Sequence, residues 1–162
     1  MQIQRGDSSI KEDMMKIKTI LVPTDFSEHA ERSYERAIEF AKVFGARIDL
    51  LHVYDIPDFA SIYEIAFPDQ LDTGIRKAAL RKLESLRELA TGEGIEVATH
   101  LAFGAPERLI TQHAKDENVD LIVMGTRGLG AVKHLLLGSV AERTIRAAPC
   151  SVLVVEDPER AA

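Results

Sequence analysis

Five short apolar runs alternate along this chain with segments whose apolar residues recur at helical spacing. The runs are 17–22, 48–53, 95–101, 119–124 and 152–155. Because consecutive parallel strands need a crossover of about ten residues or more, usually a helix, this alternation predicts an α/β fold. We expect an open five-stranded parallel sheet with helices on both faces. The nearly continuous apolar character of 119–124 is typical of a strand buried on both sides.

Four segments between these runs predict the helices. Ser27 is a good N-cap for a helix that ends at Gly45, and the others lie at about 70–91, after Gly104 and Pro106, and from Ser139 to Pro149. The residues expected to face the core from the first and last helices are Ala30, Tyr34, Ala37, Ile38, Ala41 and Phe44, and Val140, Thr144, Ile145 and Ala148. Pro23 lacks an N–H, so we expect the first strand to stop there.

The length of 162 residues favours one domain. We expect a flexible extension over 1–15, a single domain over 16–157 and a tail over 158–162. Residues 57–68 are predicted to form a loop, because Pro57 and Pro68 bound a stretch without periodicity.

Charge and cysteine content narrow the function classes. A formal net charge of −6 argues against a general nucleic-acid binder, because such proteins rely on Lys and Arg meeting phosphates. The chain has neither a signal-peptide pattern nor an apolar run long enough for a membrane span. Cys150 is the only cysteine and cannot form an intrachain disulfide, which suits a reducing compartment. We therefore expect a cytoplasmic protein that contacts neither nucleic acid nor membrane.

A glycine-rich stretch, Gly125-Thr-Arg-Gly128-Leu-Gly130, follows the fourth run and precedes Gly138-Ser139. A loop between a strand and a helix start can hold phosphate with backbone N–H groups. Gly125 and Gly128 can take positive φ and can let a ligand approach the main chain closely. Arg127 and Lys133 could add positive charge. The alternative interpretation is that these glycines only make tight turns.

Other candidate residues lie at the ends of the first two runs. If the first and fourth strands are neighbours, Asp25 faces the same crevice as the glycine loop and could accept hydrogen bonds from ribose hydroxyls. Capping or solvation is the alternative for a lone Asp, and a structural role is favoured for His52. We predict no metal site, because His100, His113 and His134 show no metal-ligand spacing with Cys150.

Three stretches in this order resemble the universal stress protein family, in its ATP-binding branch. They are Pro23-Thr-Asp-Phe-Ser27, Leu50-Leu-His-Val53 and Gly125-x2-Gly128-x9-Gly138-Ser139, and the resemblance runs from about 16 to 156. It implies an adenine nucleotide alpha-hydrolase-like fold with strand order 3-2-1-4-5. It also implies a homodimer formed through the last strand, at Val152, Leu153, Val154 and Val155.

The resemblance further implies where ATP binds. Adenine would lie near Pro23 and Val53, with Thr24 and Asp25 close to adenine or ribose. The triphosphate, with Mg²⁺ held only through its phosphates, would rest on two segments of the chain. These comprise Met124, Gly125, Thr126, Arg127, Gly128, Leu129, Gly130 and Ala131, and Gly138, Ser139, Val140 and Ala141.

The leading hypothesis is an ATP-binding stress or regulatory protein that acts as a nucleotide-dependent homodimer and has no catalytic residues. The alternatives are a slow ATPase or phosphotransferase that uses the same pocket, and an interaction module without nucleotide. Three α/β classes fail on their own residues. The chain has no G-x-x-x-x-G-K-[ST] loop and no GxGxxG after the first strand, and its third strand ends in Leu101-Ala-Phe103, without the Asp of a phospho-receiver.

Overall fold

The computed structural model describes residues 16–54, 68–126 and 137–156, with side chains in the second range from 74 onward. The expected extension, tail and most of the expected loop lie outside these ranges. The strands are β1 (Thr19–Thr24), β2 (Arg47–Tyr54), β3 (Val97–Phe103), β4 (Leu121–Gly125) and β5 (Ser151–Val155). The helices are α1 (Glu28–Phe44), α2 (Pro68–Thr91), α3 (Pro106–Asp116) and α4 (Ser139–Ala147).

The five strands form one sheet in the order β3-β2-β1-β4-β5, and every pairing is parallel. This confirms the predicted fold class and the strand order implied by the resemblance. The chain first builds β1, β2 and β3 toward one edge and then returns to the other side of β1 for β4 and β5. The order reverses between β1 and β4, so this is the topological switch point of the sheet.

Two cores lie on opposite faces of the sheet. One combines the side chains of Ile20, Val22, Ile48 and Leu50 with buried residues of α1 and α2. The other combines Leu21, Leu51, Ile122 and Met124 with Ile110 and Ala114 of α3 and Ala141 of α4. Successive residues of a strand point to opposite faces, so β1 and β2 contribute to both cores in alternation.

The first helix has the ends that the sequence predicts. The Ser27 side chain accepts a hydrogen bond from the Ala30 N–H, and Gly45 closes the helix in the left-handed conformation with φ 66°. Within the core, the hydroxyl of Tyr34 donates to the carbonyl of Leu86 in α2 at 2.8 Å. Tyr34 therefore bridges the two helices on this face of the sheet.

Several details differ from the predictions. β1 continues through Pro23, which pairs with Leu51 of β2. This is tolerated because the ladder between β1 and β4 has already ended at Leu21. Phe44 and Ile145, expected in the core, are 42% and 43% exposed. Both lie near the carboxyl end of their helix.

Gly125 of β4 lies close to the start of α1. A Cβ atom at Gly125 would lie 3.0 Å from the carbonyl oxygen of His29 and 3.2 Å from its Cβ. Gly125 does not use the conformational freedom of glycine, because its φ lies outside the left-handed region. Glycine is needed here because the backbone of α1 leaves no room for a side chain.

Ionisation of Tyr34 should destabilise the fold at alkaline pH. Burial raises the pKa of its hydroxyl to about 12. The ordinary pKa of tyrosine is about 10, so the folded state favours the neutral hydroxyl more than the unfolded state does. The resulting contribution to the free energy of unfolding is complete below about pH 10 and is lost as the pH rises through about 12. Between about pH 8 and about pH 11 the wild type should lose about 1.4 kcal/mol more free energy of unfolding than Tyr34→Phe. Urea denaturation at both pH values measures this, and an equal loss in both proteins would refute it.

Replacement of Gly125 by alanine should destabilise the fold. The new methyl group would force the start of α1 away from β4, so we expect Gly125→Ala to lower the free energy of unfolding by about 1–3 kcal/mol. Gly74→Ala is the matched control, because a Cβ at Gly74 in α2 has no atom within 4 Å. The control should raise stability by up to about 1 kcal/mol. Equal effects in chemical denaturation would contradict this explanation of Gly125.

Candidate functional site

The site lies at the carboxyl ends of β1 and β4. The ladder between these strands consists of Ile20 with Leu121 and Leu21 with Ile122. Each strand continues for three more residues, to Thr24 and Gly125. Parallel sheets bind ligands in a crevice outside the carboxyl ends of strands where the order reverses. The topology brings the end of β1 and the start of the glycine loop to one such crevice.

A compact turn follows β1 and is held by side chains. The Phe26 N–H donates to Thr24 Oγ1 and the Ser27 N–H to Asp25 Oδ1, both at 3.0 Å. Phe26 has φ 63°, which is uncommon for a residue with a bulky side chain. Asp25 therefore does not cap α1 itself but accepts a hydrogen bond from Ser27, the residue that does, and its half-buried side chain lies within the turn after β1.

His52 supports this turn from β2. Its Nδ1 lies 2.7 Å from the carbonyl oxygen of Thr24, which can only accept, so Nδ1 carries the proton. Burial lowers the pKa of His52, against the opposing effects of the Thr24 hydrogen bond and the Asp25 charge. The Phe26 ring lies 4.3 Å from the imidazole, and Lys82 Nζ lies 5.0 Å from the Phe26 ring centre. His52 therefore has the structural role that the sequence analysis favours.

Thr126, which follows β4, is hydrogen-bonded both to Gly138 at the start of α4 and to β5. The Gly138 N–H donates to the carbonyl of Thr126 at 2.7 Å, and the Thr126 N–H donates to the carbonyl of Val155 at 3.2 Å. Gly138 is the N-cap of α4 and provides no side-chain cap for it. The first N–H groups of a helix have no partner within it, so the amino end of α4 is a region of positive potential beside the loop.

The predicted site residues differ in how exposed they are. Thr24, Met124 and Ala141 are buried. Pro23, Asp25, Val53, Gly125, Gly138 and Val140 are half-buried, Thr126 is buried and Ser139 is exposed. Arg127, Gly128, Leu129, Gly130 and Ala131 lie outside the described residues. Sequence reasoning missed the supporting contacts of Phe26 and the double hydrogen bonding of Thr126, because both depend on tertiary structure.

Within the described ranges, the structure contains no helix that is both long and apolar enough to cross a membrane.

Comparison with known proteins gives concordant results. The sequence pattern of the "Universal stress protein family" matches residues 16–156. A universal stress protein of Staphylococcus aureus strain USA300 is 38% identical over 148 residues, which cover 90% of this chain and 88% of that protein.

Solved structures agree with these matches. Hypothetical protein MJ0577 superimposes with a TM-score of 0.80 at 35% identity, over 88% of this chain and 98% of that one. A universal stress protein solved in complex with cAMP gives a TM-score of 0.62 at 26% identity, over 88% of this chain and 98% of the other. The sequence pattern, the relatives and the fold all agree, and the chain belongs to the universal stress protein family.

Proposed function

We propose that this protein binds ATP in the crevice between β1 and β4 and acts in the cytoplasm as a nucleotide-dependent homodimer in stress regulation. One observation carries the proposal. The turn after β1, the first residue of the glycine loop and the amino end of α4 converge on the switch point of the sheet. This is where open α/β sheets take nucleotides.

The phosphate half of the site rests on backbone groups. The hydrogen bond from Gly138 to Thr126 fixes the distance between the two ends of the loop. Ser139, the first residue of α4, adds an exposed hydroxyl at the positive end of the helix. The motif Gly125-x2-Gly128-x9-Gly138-Ser139 therefore spans a closed loop and a helix terminus, the combination that holds phosphate oxygens. Mg²⁺ would bind through the phosphates only.

The adenosine half of the site is formed by β1 and β2. Pro23 and Val53 are half-buried near the carboxyl ends of the two strands, and Asp25 can accept hydrogen bonds from ribose hydroxyls. The complex of a related universal stress protein with cAMP supports an adenine nucleotide as the ligand class.

The dimer would form through β5, an edge strand of the sheet. Val155 accepts from Thr126, so its backbone polar groups face β4, and those of Val154 face outward because successive residues alternate. Thr126 thus contacts both the loop and this edge, which gives a short path from nucleotide to dimer. Pairing of two copies would cover an edge that is otherwise prone to aggregation.

Loss of the phosphate-binding groups should weaken ATP binding. For Gly128→Val combined with Ser139→Ala we expect at least a tenfold loss of affinity, since each hydrogen bond to a charged group is worth about 1.5–3 kcal/mol. Isothermal titration calorimetry measures the affinity. Gly74→Val with Ser85→Ala is the matched control, because both residues are exposed on α2. Absence of wild-type binding, or equal affinity in the phosphate-site variant, would refute the site.

The dimer edge can be tested with one proline. Val154→Pro removes an N–H that faces away from β4, so the intrachain ladder remains while pairing with a second copy is blocked. Sedimentation velocity should show a wild-type dimer and a Val154→Pro monomer. Val154→Thr has a similar shape and retains the N–H, and should stay dimeric. A monomeric wild type or a dimeric proline variant would exclude β5 as the interface.

A further inference from the structure

Three potential metal ligands meet on the face of the sheet that α3 covers, away from the proposed ATP crevice. They are Asp49 of β2, His100 of β3 and His113 of α3, and one ligand atom from each lies within 4.8 Å of the other two. His113 Nε2 lies 3.3 Å from Asp49 Oδ2, and the two imidazole rings have centres 4.4 Å apart. The proposed ATP site uses none of these side chains.

The strand register explains why the three residues meet. Asp49 pairs with Ala98, and His100 pairs with Leu51, so the aspartate and His100 are diagonal neighbours on one face of the sheet. The same face carries Leu51 and the buried residues Ile110 and Ala114 of α3. His113 precedes Ala114 in α3, and its side chain, which is 15% exposed, lies on the helix side of the cluster.

The cluster contains polar atoms that protein groups leave unsatisfied. Asp49 is only 1% exposed, yet its Oδ1 has no hydrogen-bond partner among the described residues. His100 Nε2 is also buried, and it too lacks a partner in the described part of the chain. A buried polar atom without a hydrogen-bond partner destabilises the folded state. Two such atoms on neighbouring side chains of ligand type mark a polar cluster that the described protein groups do not complete.

The donor set selects the class of cation. Two imidazoles with one carboxylate suit Zn²⁺ and related transition metals, whereas Mg²⁺ and Ca²⁺ prefer oxygen ligands. Ligands at about 2.0–2.2 Å from a tetrahedral Zn²⁺ lie about 3.3–3.6 Å from each other. The Asp49–His113 distance already has this value, and small side-chain rotations would bring His100 to the same separation.

Arg47 is the group that competes with a cation. Its Nη2 lies 3.5 Å from Asp49 Oδ2, but also 3.5 Å from Glu117 Oε2. The Arg47 side chain is 37% exposed, so it can leave Asp49 and keep its ion pair with Glu117. The guanidinium therefore neutralises the buried carboxylate without metal and can move aside when a metal binds.

We propose that Asp49, His100 and His113 form a binding site for Zn²⁺, which fastens the edge strand β3 to β2 and α3. Water completes the tetrahedron. This Zn²⁺ site is separate from the proposed ATP crevice and from any Mg²⁺ held by the phosphates there. Its ligands are Asp49, His100 and His113, none of which belongs to that crevice. It differs from the prediction of no metal site, which considered the histidines with Cys150 and left out Asp49.

Cobalt(II), used as a spectroscopic substitute for Zn²⁺, tests the site in the wild-type chain without any variant. Tetrahedral coordination gives intense visible d–d bands, and Zn²⁺ should abolish them by displacement. A thiolate charge-transfer band would identify Cys150 as a ligand and overturn the proposal. Weak octahedral bands, or no bands at all, would overturn it as well.

Single variants assign the ligands. Calorimetric titration with Zn²⁺ should show more than a hundredfold weaker binding for His100→Gln and for His113→Gln, since even loss of a second-shell partner costs about 10–100-fold. Zn²⁺ should raise the Tm of the wild type and not that of these variants. His29→Gln is the matched control, because it removes an imidazole from α1 on the other face and should bind like the wild type. Equal Zn²⁺ affinity in all four proteins would refute the assignment.

Discussion

The short ladder between β1 and β4 is the constraint on which the rest of this structure depends. Only Ile20 and Leu21 of β1 take part in it, whereas the same strand pairs with β2 from Thr19 to Thr24. The strong pairing with β2 fixes the position of β1, and the early end of the other ladder leaves the carboxyl ends of β1 and β4 unpaired with each other. A crevice at the switch point follows directly from this asymmetry.

Around that crevice, the backbone segments that the structure describes are held by contacts with the rest of the fold. The turn after β1 is fixed by Thr24, Asp25 and His52, while Gly125 is fixed by its contact with α1. Thr126 connects the loop both to α4 and to β5. Rigid strands and helix ends thus position the groups that the proposed ligand would contact, as precise binding requires.

The fold could be predicted from the sequence because each element carries a local pattern. Alternating apolar runs, the Ser27 cap and the Gly45 terminus are signals within a few residues, and the structure confirms them. The reason for glycine at position 125 could not be predicted, because it depends on how closely α1 packs against β4.

The two candidate sites differ in the same way, because one follows from a local sequence motif and the other from tertiary structure. The glycine motif has fixed spacing and was visible in the sequence, although most of its loop lies outside the described residues. Asp49, His100 and His113 are separated by 51 and 13 residues along the chain. Only the register of β2 with β3 and the packing of α3 bring them together.

The left-handed backbone of Phe26 has a consequence for the energetics of recognition. A non-glycine residue in this conformation costs about 1–3 kcal/mol, and here hydrogen bonds of the turn and the packing of its ring on His52 offset that cost. The unfavourable conformation of Phe26 is therefore already formed when the protein folds. A ligand that enters the crevice meets a wall that is already ordered, and little of its binding free energy is spent on ordering the β1 turn.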